Sequence, residues 1–175
     1  MKATGVVRRI DDLGRIVIPK EIRKTLRIKD GESVEIFLDS DNIVLKKYSP
    51  MGGLPDFYVD YVDSIYSEIG GNVFIVDRDK IVAVAGEFKK KYLNKRISNV
   101  LDEIIQNRVV IYSEEVNDII LSSDIVERCS YVIAPIISNG DAIGAVIILF
   151  NSDNMDDFVF KTGSIAAKFL GKYVE

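Results

Sequence analysis

Histidine is absent from this chain of 175 residues, and cysteine occurs once, at Cys129. Without histidine there is no Ser/His/Asp or Cys/His nucleophilic pair, no imidazole metal ligand and no side chain that ordinarily titrates near neutrality. A lone cysteine excludes an internal disulfide framework and a multi-cysteine metal cage. Its apolar neighbours Val132 and Ile133 mark it as a buried core thiol rather than a nucleophile. Long apolar runs are missing as well. The longest, Ala142 to Phe150, falls well short of the roughly 20 residues that cross a bilayer, and the first residues lack the apolar core of a signal peptide. A cytoplasmic location with no membrane partner is expected. No glycine-rich phosphate loop with its lysine is present, since Gly140 and Gly144 occupy turn and strand positions. Asp77 and Asp79 at a strand end could hold Mg²⁺ or accept a phosphoryl group, yet carboxylates in a polar turn are first of all turn formers. The expectation is a non-enzyme with no catalytic residue, metal or cofactor.

What the chain does have is unevenly placed charge. Its 23 Lys and Arg stand against 27 Asp and Glu, a net of −4. From Lys2 to Lys29, however, nine basic residues (Lys2, Arg8, Arg9, Arg15, Lys20, Arg23, Lys24, Arg27, Lys29) face three acids (Asp11, Asp12, Glu21), a net of +6. Residues 1–47 carry 11 basic and 8 acidic groups, and residues 48–175 carry 12 and 19, so the two parts have nets of +3 and −7. The asymmetry points the N-terminal stretch at a polyanion and argues against nucleic-acid contact by the rest.

Thr4 to Ile10 has a β-branched, strand-like composition. Asp11, Asp12 and Gly14 then supply a turn, and Arg15 to Ile18 a second strand that stops at Pro19. Pro19 is suited to begin a helix, expected over Lys20 to Leu26. At about 100° per residue, Ile22 and Leu26 share one face, and Lys20, Arg23, Lys24 and Arg27 gather opposite. One face packs and the other is basic. Arg8, Arg9 and Arg15 flank the turn, adding guanidinium groups suited to bidentate phosphate or guanine contact. Asp30-Gly31 turns the chain into a half-buried strand at Val34 to Leu38, and after Asp39 to Asn42 a short strand follows at Ile43 to Lys47. Domains near this size hide only about 60% of their unfolded surface, so the module needs a partner chain.

The block TGVVRRIDDLGRIVIPKEIRKTLRIKDGESVEIFLDSDNIVLKKY resembles the AbrB-type swapped-hairpin DNA-binding domain, most specifically from Arg8 through DDLGRIVIPKEIR to Lys24. Joined to a second domain of this size, it is similar to the two-domain sporulation regulators of that family. The resemblance implies an all-β-dominated swapped-hairpin barrel, dimeric with one short helix per chain, that binds double-stranded DNA. The family's DNA-contacting arginines carry over to Arg8, Arg15 and Arg23, with Arg9, Lys24 and Lys2 as neighbouring basic positions. Lys24 departs from an arginine preference there, because a lysine cannot form the bidentate fork.

Residues 48–55, YSPMGGLP, break both periodicities and are expected as a linker between domains at 1–47 and 56–175. Phe57, Tyr61, Ile65 and Ile69 recur along an amphipathic helix that Gly70 and Gly71 end. This stripe is expected to pack on its own domain or on a partner's equivalent helix. Strands follow at Val73 to Val76 and Ile81 to Ala85, and Lys89 to Lys91 reads as a solvated loop. A helix at Asn99 to Gln106 leads to a strand at Val109 to Tyr112. After an indecisive stretch, strands at Cys129 to Ile137 and Ala142 to Phe150 flank the hairpin turn Asn139-Gly140, before a helix at Phe158 to Tyr173. This order describes an α+β domain with an antiparallel sheet and resembles a GAF domain. That resemblance implies either an unidentified small-molecule ligand, with ligand-binding residues unknown, or a purely oligomerising role that would join dimers into a homotetramer. The leading functional expectation is a sequence-specific transcriptional regulator, with an antitoxin-like protein-binding module and an enzymatic C-terminal domain as the alternatives.

Overall fold

The computed structural model describes residues 5–123 and 125–174 and divides into two compact units, Met1–Tyr48 and Ser49–Glu175. In the first unit the turn after Ile10 forms as its residues dictate. Gly14 N–H donates to the Asp11 carbonyl (3.0 Å) and Asp11 N–H to the Arg15 carbonyl (3.1 Å). Gly14 sits at φ 76°, a left-handed conformation that glycine enters at no steric cost. The strands expected on either side do not form: the described residues of Thr4 to Ile10 and of Arg15 to Ile18 have no ladder. A strand exists only where a neighbour takes its N–H and C=O groups, and β-branched composition supplies the preference without the neighbour. Val7 and Val17 are accordingly 87% and 75% exposed.

Helix α1 (Lys20–Leu26) starts after Pro19 and ends where Arg27 turns left-handed at φ 52°. There Ile28 N–H reaches back to the Arg23 carbonyl (2.8 Å), a C-terminal closure usually built on glycine. Ile22 is half-buried, but Leu26, expected beside it in a packed face, remains exposed. Strands β1 (Val34–Asp39) and β2 (Asn42–Lys47) form an antiparallel ribbon in continuous register from Val34↔Lys47 to Asp39↔Asn42. The expectation of a half-buried strand is corrected here: past Val34 every β1 side chain is exposed, with Ile36 at 68% and Leu38 at 81%. Pro19 apart, no apolar side chain among this unit's described residues is buried.

The second unit contains α2 (Pro55–Ile69), β3 (Asn72–Asp77), β4 (Lys80–Ala85), α3 (Lys89–Tyr92), α4 (Asn99–Gln106), β5 (Ile111–Ser122), β6 (Ile125–Ser138), β7 (Asp141–Phe150) and α5 (Asp157–Tyr173). One antiparallel sheet runs in the order β4-β3-β7-β6-β5. Alternate side chains feed two cores: Val73, Ile75, Val132 and Ile148 pack with α2 and α5, and Phe74, Val76, Ile133 and Ile147 with α3 and α4. Central β7 is buried on both faces from Ala142 onward, which is why it reads as a continuous apolar run rather than an alternating one. Asn139 and Gly140, at φ 49° and 85°, make the two-residue turn between β6 and β7.

Two expectations change in this unit. Residues 49–54 are packed into it instead of linking freely: Met51 is buried in the core, and Ser49 Oγ donates to the Asp77 carboxylate (2.6 and 2.7 Å). The lysine run forms α3, in which Lys91 and Tyr92 both donate to Glu127 Oε1 and Tyr92 is buried. The α2 stripe of Phe57, Tyr61, Ile65 and Ile69 packs on its own domain, along the margin of a core in which Tyr58 and Val62 are the deepest α2 residues. The indecisive stretch before Cys129 is the continuation of β5 and the start of β6, bulged between Ser113 and Asn117.

Candidate nucleic-acid interface

The first unit's charge is concentrated at the hairpin turn and on α1. Asp11 organises the turn: its Oδ1 accepts from the N–H groups of Leu13 (3.1 Å) and Arg15 (2.8 Å). Its Oδ2 accepts from Arg15 Nε at 2.8 Å. These bonds, first the Arg15 backbone N–H, then its guanidinium, then the Leu13 N–H, hold the Asp11 carboxyl below its ordinary value. A depressed carboxylate keeps its contribution above the ordinary carboxylate range and loses it as pH falls through the lowered value.

The pairing with Asp11 uses only Nε of Arg15, and its two Nη groups have no hydrogen-bond partner among the described residues. The side chain is 71% exposed, and an exposed pair of this kind is weak enough to exchange for a phosphate. Arg8 and Arg9 precede the turn, exposed and without a side-chain ion pair to any described residue. On α1, Arg23 Nη1 donates to Asp30 Oδ1 at 2.6 Å, which fixes its guanidinium beside the loop after the helix. Lys24, next in sequence, is exposed and unpaired among the described residues. Lys2 lies outside the described residues. The structure thus brings Arg15 to the turn and Arg23 to a fixed position on α1, while Arg8 and Arg9 are held by no contact of their own. The sequence places Asp11 and Asp30 in turns; that each carboxylate also holds an arginine side chain is visible only in the structure.

Elsewhere the groups weighed for chemistry have structural partners. Asp77 anchors Ser49, and Asp79 faces Arg96 at 3.9 Å. Cys129 is buried, its Sγ near Asn151 Oδ1 at 3.5 Å, and burial together with Glu127 and Glu87 pushes its thiol up to about 11, opposite to what a nucleophile requires. Among the described residues no three His, Cys, Asp or Glu side chains converge as a metal site.

Comparison with known proteins agrees with this division. Residues 53–175 match the family described as stage V sporulation protein T C-terminal, transcription factor. Residues 7–52 match antidote-toxin recognition MazE, bacterial antitoxin. The chain is 48% identical over 177 residues to stage V sporulation protein T of Bacillus subtilis (strain 168), covering 100% of this chain and 99% of that one. It is 54% identical over 50 residues to the transition state regulatory protein AbrB of the same organism, covering 29% of this chain and 52% of AbrB. In structure, the A. aeolicus nlh2 GAF domain superposes with a TM-score of 0.52 at 18% identity, over 69% of this chain and 83% of that one, which shows the fold. The 48% identity to one relative over the full chain and the family match over residues 53–175 lead to one conclusion: the chain belongs to the stage V sporulation protein T family.

Proposed function

We propose that this chain is a sequence-specific DNA-binding regulator of transcription in the cytoplasm. In this reading it is a dimer through its N-terminal unit, and Arg8, Arg9, Arg15, Arg23, Lys24 and Lys2 of each chain face double-stranded DNA. One observation carries the reading: the same unit exposes Arg8, Arg9 and Lys24 with no side-chain ion pair among the described residues, and it has strand-forming segments without a core. A second copy answers both needs at once. Interleaved hairpins would give Gly5 to Ile10 and Arg15 to Ile18 the ladder they lack and would cover Val7, Val17 and Leu38, each contributing about 1.5–3 kcal/mol when fully buried. The same act doubles the cations on one surface. Phosphate contacts then supply most of the affinity, and the guanidinium forks of Arg15 and Arg23 suit guanine edges. Asp11 and Asp30 hold these forks in position and are exchanged for DNA acceptors on binding.

The test is fluorescence anisotropy of operator DNA at several salt concentrations. Arg15→Ala should weaken binding and flatten the slope of log K against log salt by about 0.9 for each phosphate no longer neutralised. Unchanged affinity and slope would show that the assigned surface is wrong.

The C-terminal unit joins dimers into a tetramer in this proposal. Its support is the outer side of α5, where Phe158, Ile165, Phe169 and Tyr173 are exposed. Phe169 stacks on Tyr61 at 5.7 Å, and Tyr173 on Phe57 at 4.8 Å, forming an aromatic face larger than scattered exposure produces. The match of residues 7–52 to an antitoxin family favours one further reading, a barrel that occupies a toxin. Co-purification with a small ribonuclease would support that reading, and its absence together with operator binding would remove it.

A further inference from the structure

We infer that a groove between α5 and strand β6 of the sheet binds a small amphipathic anion, specifically a single-chain acyl carboxylate. The groove has a volume of about 540 Å³, within the range of small-molecule sites, and its floor and walls are mostly apolar, Ile137, Ile165 and Phe169 among them. Three cations stand at its rim: Arg108, Lys168 and Lys172. Their presence runs against the charge of this part of the chain, which has a net of −7 over residues 48–175. Lys168 and Lys172 are one turn apart on α5, both exposed, and neither has an ion-pair partner among the described residues. Arg108 is held at the end of α4 in a left-handed turn, φ 60°, by its N–H bond to the Ile105 carbonyl at 3.1 Å.

An apolar trough closed by cations selects a molecule with the opposite arrangement, an apolar chain ending in an anion. The head group follows from Asp141, whose carboxylate lies 3.5 Å from Arg108 Nη2 in a mutually exposed pair. The guanidinium already accommodates a carboxylate there, and an incoming one exchanges for it at little cost because exposed pairs are weak. A chain on the order of ten carbons fits a site of this size. The groove meets the aromatic face of α5 along Ile165 and Phe169, so its occupant sits beside the proposed tetramer contact without depending on it.

Isothermal titration of the full-length protein with decanoate, below its micelle concentration and without DNA, tests the inference. The expected result is one decanoate per chain. Binding should be at least tenfold weaker in the Lys168→Glu/Lys172→Glu variant, and at least tenfold weaker for decanol with the unaltered protein. Both lysines are exposed, so the variant should keep its circular dichroism and thermal midpoint, and Arg108→Gln offers a second single-site check. Sedimentation velocity on the same samples reads the oligomeric state separately, so a failure of the tetramer leaves the binding result standing. The inference is overturned if no saturable heat appears, if decanol and the charge-reversed variant behave like decanoate and the unaltered chain, or if decanoate fails to bind while the charge reversal abolishes self-association, which would make the groove a contact between copies.

Discussion

Arg15 and Asp11 show how one residue serves two demands. The turn needs an acceptor for the Leu13 and Arg15 N–H groups, and the guanidinium needs a fixed direction, so a single carboxylate does both. Glycine has the opposite role at Gly144, where any Cβ would overlap the Val76 carbonyl oxygen across the β3–β7 ladder. Backbone cannot yield there without breaking the sheet, and Gly144→Ala should cost about 3 kcal/mol in urea denaturation of the full chain. Titration sets a third residue-level expectation. Burial first, then Asp77 and Tyr173, push the Tyr58 hydroxyl up to about 12; burial raises Cys129 to about 11; burial and Glu127 raise Tyr92. All three groups are neutral in the folded state and ionise more readily when unfolded. Their contribution is therefore complete below pH 9, the ordinary thiol value, and is lost as pH rises through 11 to 12. Thermal midpoints should be flat across neutral pH and fall steeply above 9. Tyr58→Phe should soften that fall and add about 1 kcal/mol at neutral pH, since its buried hydroxyl has no hydrogen-bond partner among the described residues.

At the scale of elements, the segment following Tyr48 is the least expected. Gly52, Gly53, Pro50 and Pro55 make it look like a flexible connector, yet Met51 is buried and Ser49 bridges to Asp77 at the end of β3. Ser49 Oγ also accepts from Met51 N–H at 3.1 Å, so one hydroxyl ties the turn to itself and to the sheet. Ser49→Ala should raise amide hydrogen exchange over residues 49–54 at least tenfold while leaving the central strand β7 protected. Equal exchange in both proteins would show that Met51 alone holds the segment. Helix α3 follows the same logic. Its three lysines have no apolar period, and the turn is held by distant partners: Glu127 on β6 accepts from Lys91 and Tyr92, and the Tyr92 ring is buried against Phe74 and Phe88.

The whole molecule joins a unit with its own core to a unit without one. The second unit buries a sheet between two helical layers, whereas the first leaves Val7, Val17, Ile36 and Leu38 in water. Unfolding should therefore occur in two transitions. The one belonging to the N-terminal unit should move to higher temperature as protein concentration rises, because its stability is inseparable from association. Leu38→Glu removes from each copy one apolar side chain that the proposed dimer would bury, about 3–6 kcal/mol per dimer. It should raise the dimer dissociation constant at least a hundredfold by sedimentation equilibrium and abolish operator binding with it. A variant that stayed dimeric would show that β1 and β2 lie outside the shared core.

Much of this was legible in the chain because it depends on neighbours in sequence. Pro19 before KEIRKTL set α1, Gly70 ended α2, Asn139-Gly140 turned β6 into β7, and the excess of Lys and Arg between Lys2 and Lys29 marked the stretch proposed to face DNA. Turns, caps and charge density are local properties, decided by steric and electrostatic relations within a few residues. Tertiary structure alone decided where distant segments meet. It chose Tyr58 over Phe57 as the residue α2 buries, seated Met51 in the core, made a helical turn of Lys89 to Tyr92, opened a cation-rimmed groove beside α5, and left Gly5 to Ile10 without a ladder. Burial and strand pairing are relations between surfaces far apart in the chain, so a residue's own identity carries a preference for them but not the partner that satisfies it.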